Sequence, residues 1–386
     1  MTETVAERYV RLGLRLDRLV EGTVDSYVGP PELAAEVAAE KLPEAHELVD
    51  QADALLAELP ESWLRDQVTG LRTSAGMLAG ESRSYTDEVH GYYGVRPTMT
   101  DEAVFAEAHE NLDALLPGTG SLAERQEQWH RSMWVPADRV EGAVVAILAE
   151  ARARTGQLVD LPPGEGVDLE FVRDVPWNGY NSYLGGLRGK VEINVSRPMT
   201  AYHLLHLVLH ETYPGHQAER VCKEVALVRG QGRLEETIVL EPTPQSLIAE
   251  GIGEIAPETL LRGAAGDAFA RIMRDTGVDF DLDRSATLAR AAEACGWSSV
   301  NASLMLHEQG AGEAEVTEYL RRWWLVTAEE AGRAIRFMTA PETRTYGFNY
   351  PAGKRLCRAY AATVPDGFRR LLTEQVRVGD LLGASV

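Results

Sequence analysis

Cysteines, aromatic residues and basic side chains are scarce in this chain of 386 residues, and their scarcity excludes several classes of protein. The three cysteines, Cys222, Cys295 and Cys357, are odd in number and lack C-x-x-C spacing, so we expect neither a disulfide framework nor a zinc–cysteine site. Lys and Arg total 38 against 59 Asp and Glu. The net charge of -21 argues against nucleic acid or an anionic membrane as a partner, because both repel such a surface.

Long apolar runs are lacking as well. No stretch of the sequence approaches the roughly 18 uninterrupted apolar residues of a membrane helix. The first residues, Met1 to Arg8, are charged where a secretory peptide would be apolar. With the unpaired cysteines, these features predict a cytoplasmic protein.

Helical periodicity dominates the first 160 residues. Apolar residues recur at helical spacing in segments 4–20, 43–59, 64–78, 101–116 and 136–155, and Pro30-Pro31 opens a further helical piece. The segment His90-Gly91-Tyr92-Tyr93 reads as a polar-aromatic loop, either near a substrate cleft or packed as a turn. We expect residues 1–160 to form a helical scaffold and residues 161–386 a catalytic region, joined in one continuous helical unit.

Strand-like alternation follows the proline-rich loop at residues 161–166 and is confined to three short segments. These are 167–173, 177–184 and 190–195, with glycines at 185, 186 and 189 between them. They predict a small β-ribbon directly before an apolar helical run at 201–209. Many metallopeptidases place there an edge strand that pairs with substrate, although a purely structural ribbon fits the pattern equally well.

The segment His210-Glu211-Thr212-Tyr213-Pro214-Gly215-His216 ends that helical run. A zinc peptidase helix normally reads H-E-x-x-H, because histidines four apart can share an ion and the Glu can act as general base. Here the second histidine comes six residues after the first, which is about 240° round an ideal helix. Pro214 and Gly215 can break the helix, so we predict a distortion that returns His216 to the side of His210.

Two alternatives and a further acidic pair accompany this motif. His206 and His210 are four apart and could share an ion without distortion, which would leave His216 idle. His203 lies in an apolar helical run, where a histidine is more often buried and hydrogen-bonded than bound to a metal. Downstream, Glu250 and Glu254 share one helix face, so one could bind a metal while the other orients a ligand histidine. Glutamates at this spacing are also common on solvated faces.

The motif resembles the H-E-x-x-P-G-H signature of the domain-of-unknown-function 885 family, whose members are bacterial, helical, zincin-like proteins assigned as metallopeptidases. The resemblance extends over about residues 177–360. Similar segments are Tyr180–Tyr183, Val191–Asn194, Ala249–Glu254, Leu304–Gly310 and Tyr350–Lys354. At Ile252 and Gly253 the chain departs from the E-G-W-A-E-like stretch of the family.

The resemblance implies a mainly α, gluzincin-type fold with the small β-ribbon beside the active-site helix. It also implies one zinc ion per chain with His210, His216 and Glu250 as ligands, and Glu254 holding a ligand histidine. Glu211 would be the general base, and His307 and Tyr350 would stabilise the tetrahedral intermediate. Substrate binding would fall to Tyr180, Asn194 and Arg344.

These expectations together predict a metal-dependent hydrolase that cleaves a peptide or small amide. Two hypotheses of other classes stay open: an iron or manganese enzyme with redox chemistry, and a non-catalytic helical protein in which the same residues form a buried polar cluster. Arg344 and Lys354 also fit plain surface charges. The sequence leaves the oligomeric state open.

Overall fold

The computed structural model describes residues 3–385 and is mainly helical, which confirms the mainly α part of the expected fold class. The first half contains α1 Val5–Asp17, α2 Pro31–Ala39, α3 Ala45–Glu58, α4 Trp63–Leu78, α5 Tyr85–Tyr93, α6 Glu102–Leu115, α7 Leu122–Ser132 and α8 Val140–Thr155. The second half contains α9 Ala201–Glu211, α10 His216–Lys223, α11 Pro244–Leu260, α12 Gly263–Asp275, α13 Leu282–Ala292, α14 Ser298–His307, α15 Glu313–Trp323, α16 Ala328–Thr339, α17 Asn349–Thr363, α18 Gly367–Thr373 and α19 Val378–Ala384. The strands are β1 Val24–Tyr27, β2 Gly166–Val172, β3 Gly179–Gly185, β4 Arg188–Asn194 and β5 Ile238–Leu240.

Side-chain caps fix where many of these helices begin. Thr4, Ser121 and Thr327 form capping boxes with the glutamate three residues later, which satisfies amide groups that the first turn leaves without partners. Predicted and observed starts of α1 and α3 accordingly agree within two residues.

The segment His90–Tyr93 is the last turn of α5 and not the loop that we expected. Ser84 caps the start of this helix, and Gly94 ends it in the left-handed conformation with φ 75°. Val89 and Tyr93 are fully buried on its inner face. The glycine within the segment suggested a turn, but the caps and the buried face favour a helix.

Two other helical regions differ from the sequence interpretation. Residues 122–132 form α7, which the polar composition of that segment hid. Residues 315–331, whose helical periodicity predicts one continuous helix, form parts of two helices, α15 and α16, because Leu325 adopts φ 57° and Thr327 starts a new capping box.

The predicted β-ribbon is present as a three-stranded sheet in the order β2-β4-β3. β2 is parallel to β4, with Leu169 opposite Val191, and β3 is antiparallel to β4, with Asn181 also opposite Val191. β3 is therefore an edge strand, and it packs against α9.

A second β-ribbon, which the sequence interpretation missed, joins the N-terminal region to the rest. β1 pairs antiparallel with β5, and Tyr27 lies opposite Ile238. Ile238 and Leu240 of β5 share a buried core with Tyr9 and Leu12 of α1. The first 160 residues thus complete a hydrophobic core with residues from the second half of the chain.

The tightest helix packing joins α11 to α17. A Cβ added to Gly251 would lie 2.5 Å from both Cys357 Sγ and the Gly353 carbonyl oxygen, and one added to Gly353 would lie 2.4 Å from the Leu247 carbonyl oxygen. Glycines at both positions let the two backbones touch. Among residues 3–385, no helix is long and apolar enough to cross a membrane.

We predict that Gly251→Ala lowers the free energy of unfolding by about 1–3 kcal/mol, because the added methyl group overpacks this contact. Gly142→Ala is the matched control, since a Cβ at Gly142 of α8 meets nothing within 4 Å. We expect the control to stabilise the protein by about 0.5 kcal/mol through helix propensity. Urea denaturation measures both, and equal effects of the two variants would contradict the assigned contact.

Candidate metal centre

A break between α9 and α10 brings the two motif histidines together, as the Pro-Gly sequence predicted. α9 ends at Glu211, the chain turns through residues 212–215, and α10 begins at His216. The ring centroids of His210 and His216 lie 4.6 Å apart and nearly perpendicular. A Cβ on Gly215 would lie only 1.9 Å from the His210 carbonyl oxygen, so this turn requires glycine.

Side-chain contacts hold the turn from outside. Tyr213 is fully buried and its hydroxyl donates to Glu165, which also pairs with Arg152 of α8. The Thr212 hydroxyl donates to the Val208 carbonyl at 2.5 Å and ends α9. The geometry of the motif is therefore fixed by residues well outside it.

Glu250 of α11 faces both histidines. Its Oε2 lies 3.3 Å from His210 Nε2, and its Oε1 lies 3.7 Å from His216 Nε2. Two ligand atoms of a tetrahedral zinc ion at the usual bond lengths lie about 3.4 Å apart. Both Glu250 distances are close to that separation, and one ligand atom from each of the three side chains lies within 4.8 Å of the others. All three side chains are buried or nearly so.

A buried carboxylate oxygen also fits a bound cation. Within residues 3–385, Glu250 Oε2 is buried without a well-aligned hydrogen bond, and His210 Nε2 lies 3.3 Å from it. Burying a carboxylate oxygen in this way is costly unless a cation compensates it. Tyr346 donates to Glu250 Oε1 at 2.6 Å and fixes the orientation of the carboxylate.

Glu254 lies one turn beyond Glu250 and faces the other side of His210. Its Oε1 is 3.8 Å from His210 Nδ1, and its Oε2 is 3.6 Å from His206 Nε2. Gly253 makes this approach possible, because a Cβ there would lie 2.6–2.7 Å from three atoms of the His210 ring. The glycine that departs from the family pattern is thus the residue against which the imidazole packs.

The pKa values reflect the carboxylates around the histidines. Burial alone would lower the pKa of His210, but the Glu250 carboxylate outweighs it and raises that pKa to about 9. Burial and the neighbouring charge on His210 lower the pKa of His216 to about 4. Without a metal, a proton on His210 therefore compensates the charge of Glu250, and a metal ion would displace that proton.

Glu211 points into the same site and is buried. The backbone carbonyl of Glu211 accepts a hydrogen bond from Asn181 Nδ2 of β3 at 2.8 Å, and a Cβ on Gly179 would lie 2.9 Å from Glu211 Cγ. Burial and the charges of Glu250 and Asp25 raise the pKa of Glu211 to about 7. A carboxyl with such a pKa can accept and return a proton near neutral pH.

A cavity of about 1590 Å³ opens above the site, with His210 and Glu211 on its wall. Its volume exceeds the roughly 300–1,000 Å³ of most small-molecule pockets. Aromatic residues on its wall are Trp134, Trp177, Tyr202, Phe337 and Tyr350. His216 and Glu250 lie behind this wall, so the candidate metal centre is at the base of the cavity.

Three further side chains of the cavity wall correct or extend the sequence interpretation. His203 is exposed to the cavity and not buried, contrary to our expectation. Lys354 is not a free surface charge, because its Nζ pairs with Glu254 at 3.3 Å and with Glu293 at 3.6 Å. Tyr350 lines the cavity, where desolvation and the Glu250 and Glu211 charges raise its pKa and keep its hydroxyl protonated.

His307 and Arg344 do not line the cavity. The His307 ring stacks on Tyr85 at 4.8 Å, and its Nε2 lies 2.7 Å from the Met338 carbonyl oxygen. Arg344 forms a two-pronged ion pair with Glu88 of α5. The structure thus gives both residues partners away from the metal ligands, and neither enters the mechanism below.

Tyr180 and Asn194 likewise hold structure around the site. The Tyr180 hydroxyl donates to Asp25 of β1 at 3.0 Å. Asn194 is buried, and its side-chain amide donates to the carbonyls of Val175 and Trp177, which shapes the loop before β3. Neither side chain lines the cavity, whereas Trp177, Asn178 and Gly179 of the same region do.

Sequence reasoning missed Tyr346 and Asp25. Tyr346 belongs to no recognisable motif. Its spacing of four residues from Tyr350 was the only signal that could have placed the two side chains on the same face of a helix. Asp25 lies about 185 residues from Glu211 in sequence, and its proximity depends on the β1–β5 pairing. No local pattern carries that information.

Two solved structures share this fold. A protein from Colwellia psychrerythraea, provisionally described as a lipoprotein, is 14% identical, with a TM-score of 0.54 over 96% of this chain and 68% of that chain. A protein from Shewanella oneidensis, described provisionally as a lipoprotein of unknown function, is 14% identical, with a TM-score of 0.50 over 90% of this chain and 75% of that chain. No family model and no curated protein matches this chain.

We predict that Glu211→Gln stabilises the metal-free protein more strongly as the pH rises. The folded pKa of Glu211, about 7, lies above the ordinary value of 4.5, so the wild type loses stability as the pH rises from 4.5 through 7. The free energy of unfolding of Glu211→Gln minus that of the wild type should increase by about 2 kcal/mol between about pH 5.5 and about pH 8.

Urea denaturation in the presence of a chelator measures this difference. Glu107→Gln, at an exposed position of α6, is the control and should stay within about 0.5 kcal/mol of the wild type, as surface substitutions usually do. A pH-independent effect of Glu211→Gln would contradict the raised pKa.

Proposed function

We propose that this protein is a zinc-dependent metallopeptidase with its active centre at the base of the cavity. One observation carries the proposal: two histidines and a buried glutamate converge at ligand spacing beside a glutamate whose pKa is close to neutral. A structural polar cluster would satisfy its own buried carboxylate, whereas here Glu250 Oε2 lacks a well-aligned hydrogen bond.

His210, His216 and Glu250 would hold the zinc ion and leave a coordination position for solvent, as a catalytic site requires. The ion would supply Lewis-acid chemistry that makes water nucleophilic near neutral pH. Glu254 would keep His210 in one orientation through its Nδ1 atom, and Tyr346 would do the same for Glu250. This ligand set, two histidines from consecutive helices and a glutamate from a later one, supports a zincin-like fold of the gluzincin type.

Glu211 would act as the general base. Its carboxylate would take a proton from the attacking water and return that proton to the nitrogen of the leaving group. The pKa of about 7 suits both transfers. Tyr350 would donate its hydroxyl hydrogen to the oxyanion that forms on the substrate carbonyl, because its raised pKa keeps that proton in place.

The substrate class follows from the cavity and from β3. A volume of about 1590 Å³ accommodates several peptide residues, and the aromatic wall suits apolar side chains. β3 is an edge strand held against Glu211 by Asn181, so an extended peptide could align beside it. We therefore propose a peptide or small amide as substrate.

The net charge bears on which partners the protein can bind, and the state of the cysteines bears on its cellular compartment. The net charge of -21 opposes binding to nucleic acid or to an anionic membrane. The three cysteines are buried and free, as in a reducing compartment, and on this basis we propose a cytoplasmic location. The lipoprotein descriptions belong to the two proteins that share the fold.

We predict that the protein purified without a metal-binding tag contains one equivalent of zinc, and that His216→Asn loses it. The variant removes one of three ligands and leaves the neighbouring helices in place. His46→Asn, at an exposed position of α3, should keep the metal. Mass spectrometry of bound metals gives the result. Iron or manganese instead of zinc would favour the redox hypothesis, and no metal in the wild type would favour the non-catalytic one.

We also predict that Glu211→Gln keeps the zinc and lowers kcat at least about 1,000-fold in a peptide-library assay, because the amide cannot take up the proton. Glu107→Gln should leave kcat and KM at wild-type values. Full activity of Glu211→Gln would remove Glu211 from the mechanism, whereas loss of the metal from that variant would assign it a structural role.

A further inference from the structure

The contacts between α9 and α11 repeat after one helical turn. His210 faces Glu250, and one turn away His206 faces Glu254, so the two helices run in opposite directions where they meet. The repeat creates a second histidine–carboxylate pair closer to the cavity. We call His210 with Glu250 the inner pair and His206 with Glu254 the outer pair.

The outer pair has the dimensions of a cation site. His206 Nε2 and Glu254 Oε2 lie 3.6 Å apart, close to the separation of about 3.4 Å between two ligand atoms of a tetrahedral ion. His206, Glu254 and the shared residue His210 each offer a ligand atom within 4.8 Å of the others. Unlike His216 and Glu250, His206 and Glu254 line the cavity, so solvent can complete the coordination.

The two oxygens of Glu254 make both pairs usable at the same time. Oε1 faces His210 Nδ1, whereas Oε2 faces His206 and the Lys354 ammonium. A cation on Oε2 would therefore leave the support of His210 intact. It would have to displace only Lys354, which has a second carboxylate partner in Glu293 at 3.6 Å.

The two pairs differ in the third side chain that lies beside them. His216 completes the inner set, but the third group beside the outer carboxylate is the positive charge of Lys354. When His210 binds an ion through Nε2, its Nδ1 carries the proton and cannot bind a second one. An ion at the outer pair would thus have two protein ligands and a nearby ammonium group, and it would bind weakly.

We infer that His206 and Glu254 form a second, weaker divalent-cation site at the cavity wall, which fills only when the free metal concentration is high. An ion there would share the cavity wall with His210 and Glu211, so excess zinc would obstruct substrate. The inference rests on the proposed function only in assuming that the inner set holds the tighter ion.

Equilibrium dialysis of the full chain against zinc, buffered over a wide range of free concentrations, tests this inference by counting bound ions. The wild type should bind a second equivalent at least about 100-fold more weakly than the first. His206→Asn should lose the second equivalent and keep the first. His203→Asn, one turn earlier on the cavity side of α9, is the matched control and should bind both equivalents. Lys354→Met should tighten the second equivalent about 10-fold by removing the competing charge.

Each other outcome is decisive. A single equivalent in both the wild type and Lys354→Met, or a second equivalent that His206→Asn retains, would overturn the outer site and leave the proposed function standing. No tight ion in the wild type would overturn the proposed function itself. A tight ion lost in His206→Asn but kept in His216→Asn would move the main site to His206, His210 and Glu254 and overturn both.

Discussion

The contact between α9 and α11 is the constraint on which the site depends. The His210 ring lies directly against Gly253, at a distance that no larger residue at that position would allow. This close approach sets Glu250 on one side of the imidazole and Glu254 on the other. The break at Gly215 then adds His216 from the following helix. Two glycines, Gly253 in α11 and Gly215 in the turn after α9, thereby help to set the distances between four polar side chains.

Without a cation, repulsion among the carboxylates of this site lowers the stability of the folded protein. Glu250 and Asp25 lie close enough to Glu211 to raise its pKa, and Glu254 adds a further carboxylate beside His210. Positive groups that face Glu250 and Glu254 include a proton on His210 and the Lys354 ammonium. Concentrating acidic groups in a poorly solvated place destabilises the fold, so proteins retain such clusters where function needs them.

The local part of this site was predictable from sequence, and the long-range part was not. Pro214 and Gly215 predicted the helix break that places His216 beside His210, because their backbone preferences act within a few residues. The placements of His307 and Arg344 depended instead on which helices pack together, and the structure pairs these residues with Met338 and Glu88. The sheet before α9 was predictable for the same reason as the break, whereas β1 and β5 are too short to show a pattern.

The pairing of β1 with β5 has a consequence for synthesis on the ribosome. Val24 and Leu240 are partners although more than two hundred residues separate them in the chain. At about 5–20 residues per second, the N-terminal segment waits roughly 10–40 s for its strand partner to emerge. Until then Tyr9 and Leu12 lack the β5 side chains that cover them, and they stay accessible to chaperones. The nascent protein therefore passes through a period in which the core around its oldest residues is only partly covered.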